Sequence, residues 1–137
     1  MNQTAAPVPS ISKAPYKVTL KVTLAITGAS GAQYGLRLLQ CLLMAQCEVS
    51  LMVSSAAQVV LATETDLKVP SATASMQAFF SELYGAQPGQ LKVFAKQQWM
   101  APVASGSGGG DAMVVCPCST GSLSAIACGA SNNLIER

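Results

Sequence analysis

Val22-Thr23-Leu24-Ala25-Ile26-Thr27-Gly28-Ala29-Ser30-Gly31-Ala32-Gln33-Tyr34-Gly35 is a strand, a turn and the start of a helix in one run. Its first five residues are β-branched or apolar, as in a strand covered on both faces. Small residues follow, and from Ala32 the apolar positions recur at helical spacing. A strand that turns through glycine and serine into a helix leaves the first helical N–H groups unpaired, and with the helix dipole they favour an anion. The unit predicts a phosphorylated ligand, set against the plainer reading of a tight turn that holds nothing.

Spacing narrows the ligand. Gly28, Gly31 and Gly35 read G-x-x-G-x-x-x-G, with Ser30 where a dinucleotide fingerprint carries its second glycine. No Lys-Ser or Lys-Thr pair follows, so this is no P-loop. The next strand, Val49 to Val53, ends at Ser54-Ser55 and not at the acid that binds a ribose hydroxyl in NAD proteins. A mononucleotide fits better than a dinucleotide, and the Ser30 hydroxyl adds a donor that bare backbone lacks.

Outward from this unit the strand-then-helix order repeats. Ala32 to Cys47 predicts a helix with Leu36, Leu39, Leu43 and Cys47 on one stripe. Ser54 reads as the N-cap of a helix over Ala56 to Thr63, ending near Glu64. Ser75 to Tyr84 reads as a short amphipathic helix with Phe79, Phe80 and Leu83, and Leu91 to Phe94 as a strand. Ala95 to Asp111 is glycine- and serine-rich, a linker or binding loop. Met113 to Cys116 is a strand, followed by Pro117-Cys118-Ser119-Thr120-Gly121-Ser122 and a small-residue helix over Leu123 to Ala130. The Lys-Val-Thr-Leu echo at 17–20 and 21–24 is too short for a repeat architecture.

This alternation implies an α/β fold, a Rossmann-like three-layer sandwich with a mainly parallel sheet. Ligands in such sheets lie at the carboxyl ends of the strands. Three turns are expected to converge there: Gly28 to Gly31, Ser54-Ser55, and Cys118 to Ser122. Each alone is as readily a helix cap; together they point to a ligand.

Composition bounds the rest. The chain has 137 residues, enough for one domain. Only 10% of residues are charged while 50% are hydrophobic, which predicts a surface that meets other subunits or lacks a covering segment. A net charge of +2 without a basic stripe argues against nucleic acid. Five cysteines (Cys41, Cys47, Cys116, Cys118, Cys128) form no zinc or C-x-x-C pattern and read as reduced thiols of a cytoplasmic protein. The absence of histidine removes Ser-His and Cys-His nucleophile pairs, and with them hydrolase triads. Residues 1–16 read as a disordered tail without a secretory signal, and 17–137 as the domain. The uncharged run from Ala112 to Ile135 is not a membrane span, because Pro117, the Ser-Thr-Gly cluster and Asn132-Asn133 would strand polar groups in lipid.

Five motifs then occur in one order: Gly28-Ala29-Ser30-Gly31-Ala32 with Tyr34-Gly35; Glu64-Thr65; Pro102-x-Ala104-Ser105-Gly106-Ser107; Cys116-Pro117-Cys118-Ser119-Thr120-Gly121; and Asn133-Leu134-x-Glu136-Arg137. From about Val18 to Arg137 the chain resembles the UbiX-type flavin prenyltransferases, flavoproteins of the homo-oligomeric cysteine decarboxylase fold. The resemblance implies that reduced FMN and dimethylallyl phosphate are the ligands. The prenyl group would join the flavin at N5 and C6 without a metal, and the prenylated FMN would serve a UbiD-type decarboxylase in ubiquinone biosynthesis or aromatic acid decarboxylation. It further implies a homo-oligomer, a dodecamer in the family. By the same resemblance Gly28, Ala29, Ser30, Ser54, Ser119, Thr120, Gly121 and Ser122 would bind FMN, and Ser30, Glu64, Trp99 and Arg137 would be catalytic.

Elementary chemistry agrees: an allylic cation-like fragment suits a π face such as Trp99, and its phosphate suits cations and donors. Taken without the resemblance, Trp99 is equally an interface anchor, Glu64 a solvated carboxylate and Arg137 a surface charge. The family continues past the equivalent of Arg137 into further strands and phosphate-gripping side chains. The expectation is therefore a domain incomplete at its C-terminus, an apparently truncated copy with an uncovered sheet edge or face. Two alternatives stay open: a non-catalytic FMN-binding or scaffold fragment, and a related cysteine-type flavoprotein decarboxylase, which normally carries a histidine this chain lacks.

Overall fold

The computed structural model describes residues 19–137. The expected tail, 1–16, lies outside them, as do the first two residues, 17 and 18, of the first copy of the Lys-Val-Thr-Leu echo. Four strands, β1 (Lys21–Ile26), β2 (Glu48–Val53), β3 (Leu91–Val93) and β4 (Ala112–Val115), form a parallel sheet in the order β3-β2-β1-β4. Four helices accompany them: α1 (Ala32–Met44), α2 (Ser55–Glu64), α3 (Thr73–Tyr84) and α4 (Thr120–Ala127). The chain belongs to the α/β Rossmann-like class that the strand-helix alternation predicts.

Register explains the layering. Val22 aligns with Val49 and Val49 with Leu91, Leu24 with Leu51 and Leu51 with Val93. These residues therefore share one face. They pack with Leu36, Leu39 and Leu43 of α1, Ala57 and Leu61 of α2, and Met76 and Phe80 of α3. The alternate residues Ala25 and Met52 face the other way. They are covered by Ala101, Leu134 and Ile135, which come from a loop and the last turn of the chain.

Several boundaries differ from the sequence reading. α1 stops at Met44, because Gln46 adopts φ 62° and turns the chain; Cys47 is still buried, but ahead of β2 and not on the helix. α4 starts at Thr120 and ends at Ala127, because the Ser119 hydroxyl accepts from the Ser122 N–H and fixes an earlier N-terminus. On α3 the buried positions are Met76 and Phe80, and Leu83 is exposed. The 95–111 segment carries one short 3-10 turn, Pro102–Ala104. β4 does not have the covered faces of its neighbours, since Met113 and Val114 are exposed at the sheet's edge.

Strand order creates the site. From β1 the chain adds β2 and β3 on one side and β4 on the other. The connections leaving the carboxyl ends of β1 and β4 thus diverge and open a crevice between them.

Candidate functional site

Thr27 sets the geometry of that crevice. It is buried at the end of β1, where its N–H and Oγ1 both donate to the Pro117 carbonyl, at 3.1 and 2.7 Å. Its Oγ1 also accepts from the Ser119 N–H at 2.8 Å. One threonine thereby locks the β1 turn to the β4 turn. The sequence reading passed over it, although a threonine closing a buried strand must find partners somewhere.

Two glycines bring the turns close. A Cβ on Gly28 would lie 2.4 Å from the Ala56 Cβ, so the β1 turn seats against the first residues of α2. A Cβ on Gly35 would lie 2.5 Å from the Cys116 carbonyl oxygen, so α1 seats against the β4 turn. Gly28, Ser54, Ser119, Gly121 and Ser122 then surround one open cavity of about 280 Å³, with Ala56, Lys96, Asn133, Ile135 and Glu136 completing its wall. The three serine turns do converge.

The local chemistry of this wall suits a phosphorylated ligand. Ser54 caps α2, its Oγ accepting from the Ala57 N–H at 3.0 Å, and Ser119 caps α4. Both caps stand at helix N-termini, where dipoles favour negative charge. Gly121 differs from the close-packed glycines: a Cβ there would meet nothing within 4 Å. The bare backbone of the α4 turn is therefore open to a ligand, as a flavin mononucleotide cradle requires. The residues present fit such a group.

The turn at α1 behaves otherwise, which corrects the expectation of free N–H groups there. Glu64, at the end of α2, takes the anion position itself. Its carboxylate accepts from Ser30 Oγ at 2.6 Å and from the Gly31 and Ala32 N–H groups at 3.0 and 3.1 Å. Gln33 Nε2 donates to the Glu64 carbonyl at 3.3 Å. The Ser30 hydroxyl foremost, then the two N–H groups, hold the Glu64 carboxyl below its ordinary range against a small opposing effect of burial. The Gly31 and Ala32 N–H groups are thus already paired and not free for an anion.

The other expected residues stand apart from the cavity's lining. Trp99 and Arg137 meet, with the guanidinium carbon 5.8 Å from the ring centroid. Neither lines the cavity, and neither do Ser30, Ala29 and Thr120. All are close in chain to residues that do: Ser30 is two residues from Gly28, at most ~7 Å along the backbone, and Arg137 follows Glu136. Arg137 is placed by the turn before it. Asn133 Oδ1 accepts from the Ile135 and Glu136 N–H groups, its Nδ2 donates to Glu136 Oε1, and the Arg137 N–H donates to the Asn133 carbonyl. Lys96, Asn133 and Glu136 were missed as lining residues, since contact between residue 96 and the last turn is not a local signal. Among the described residues no group of three or more His, Cys, Asp or Glu is arranged to hold a metal ion, and no helix is long and apolar enough to cross a membrane.

Comparison with known proteins agrees with this fold. Residues 11–137 match the model of the Flavoprotein family. The chain is 61% identical over 117 residues to the flavin prenyltransferase UbiX of Pseudomonas aeruginosa, covering 85% of this chain and 56% of the relative. It is similar in structure to AnUbiX (PadA1) crystallised with FMN and dimethylallyl pyrophosphate, with a TM-score of 0.70 and 31% identity over 86% of this chain and 55% of that one. It is also similar to a dodecameric FMN-dependent UbiX-like decarboxylase from Escherichia coli O157:H7, with a TM-score of 0.70 and 28% identity over 85% and 57% of the two chains. The chain spans about half the length of the curated relatives it matches. It belongs to the Flavoprotein family.

Proposed function

We propose that this member of the Flavoprotein family binds FMN in the serine-lined cavity. We further propose that it acts as a flavin prenyltransferase, moving the dimethylallyl group of dimethylallyl phosphate to the reduced flavin. The observation that carries the reading is the meeting of Ser54, Ser119, Ser122, Gly28 and Gly121 around one cavity where the strand order reverses. The likeness to flavin prenyltransferases supports the choice of reaction.

In this reading the Ser54, Ser119 and Ser122 hydroxyls and the N-termini of α2 and α4 hold the flavin's phosphate. Ala29 and Thr120 shape the adjoining backbone. Reduced FMN, when bound, supplies the electron-rich centre that accepts the prenyl group. Glu64, ionised, accepts the Ser30 hydroxyl hydrogen bond, oxygen to oxygen 2.6 Å, and so orients Ser30 Oγ beside the Gly28 turn, where it would pass a proton. Trp99, 41% exposed, offers a π face to the cation-like allylic fragment, while Arg137 beside it neutralises the departing phosphate. Side-chain cations and helix dipoles carry charge that a divalent metal would otherwise balance, and the reaction is read as metal-free. The product is read as prenylated FMN for a UbiD-type decarboxylase, made by a homo-oligomer in the cytoplasm.

The test is anaerobic incubation of the chain with reduced FMN and dimethylallyl phosphate, followed by mass spectrometry of the bound flavin. A flavin heavier by one C5H8 unit is expected. Bound but unaltered FMN would leave a flavin-binding protein without transferase activity, and no bound flavin would overturn the reading altogether.

A further inference from the structure

Two residues of opposite charge, Lys96 and Glu136, line the cavity, and they are not equivalent. The Glu136 carboxylate is already engaged, accepting from the Asn132 N–H at 2.8 Å and from Asn133 Nδ2 at 3.1 Å. Lys96 is the one cation lining the cavity among the described residues. Its backbone is pinned there: the Lys96 carbonyl accepts from the Leu134 N–H at 2.8 Å, and Leu134 and Ile135 are buried against the sheet. The loop after β3 and the last turn are thereby held together at the cavity's wall.

The serine hydroxyls and helix N-termini orient a phosphate, but they bring only partial charges. A phosphate monoester near Glu136 needs a full positive charge to offset both anions. We infer that Lys96 is the residue by which this cavity selects a phosphorylated flavin over the same flavin without its phosphate. The inference rests on the FMN-binding reading above and deepens it. Lys96 here is a positioning and specificity residue, with no part assigned to it in the transfer itself. Its location also leaves a rival placement open to test, because Lys96 equally borders a neighbouring cleft of about 230 Å³ lined by Ser55, Gln58 and Thr73.

The experiment compares FMN and riboflavin binding by quenching of flavin fluorescence, at low and at high salt, for the unaltered chain, Lys96→Gln and Lys96→Arg. The unaltered chain should prefer FMN. Lys96→Gln should weaken FMN roughly tenfold and flatten its salt dependence while leaving riboflavin unchanged, and Lys96→Arg should keep the preference. Equal losses for both flavins in Lys96→Gln would show a merely structural role and overturn the inference. An unchanged FMN affinity would overturn it too, placing the ammonium in the neighbouring cleft. If the unaltered chain binds neither flavin, the FMN reading itself falls; if it binds both equally, only the selection by Lys96 falls.

Discussion

Glu64 accepts three hydrogen bonds that only its ionised form can take together, from Ser30 Oγ and the Gly31 and Ala32 N–H groups. Its folded-state pKa is therefore lowered. A carboxyl lowered in the folded state contributes stability at pH above the ordinary carboxylate range and loses it as pH falls through the folded value. Glu64→Gln should lower the thermal midpoint near neutral pH, and its profile should converge with that of the unaltered chain in acid. Circular-dichroism melts across pH measure this, and parallel profiles would refute it. Thr27 works through position instead of charge. Thr27→Val leaves the Ser119 N–H without its acceptor and should cost about 1–3 kcal/mol in urea unfolding, whereas Thr27→Ser should restore most of it.

Among the elements, what was legible depended on how local the deciding interaction is. The α1 stripe Leu36, Leu39 and Leu43 follows from helical period, and all three are buried. Ser54 was legible as a cap because its partner, the Ala57 N–H, lies three residues away. The Glu64 contact with α1 bridges more than thirty residues, and no pattern in the sequence announces it. α3 shows the same limit. Period allows Phe80 to share a face with either Met76 or Leu83, and packing against β3 settles on Met76. Phe80 is fully buried, with its ring 6.1 Å from that of Tyr84, whereas Leu83 is 45% exposed. Phe80→Ala should therefore destabilise by about 3–5 kcal/mol, and Leu83→Ala should stay within about 0.5 kcal/mol, both read from urea denaturation. Comparable losses at the two positions would contradict this packing.

At the scale of the whole molecule, alternating strands and helices made the parallel sheet readable, because right-handed crossovers leave few topologies. The covering of its second face was not readable. Ala101, Leu134 and Ile135 come from segments without hydrophobic period, and only the completed sheet presents Ala25 and Met52 to them. The same view exposes where the described sheet ends. β4 pairs with β1 alone, Met113 and Val114 are exposed on it, and α4 buries no residue and leaves Leu123 and Ile126 exposed. An unpaired, uncharged apolar edge is a template for another chain. This chain should therefore self-associate in a concentration-dependent way in sedimentation equilibrium. Placing a charge on the edge, as in Met113→Lys, should weaken association by about tenfold with little effect on the core, since Met113 lies outside both buried clusters. A monomer at every concentration, or association indifferent to Met113→Lys, would mean that this edge is not where copies meet.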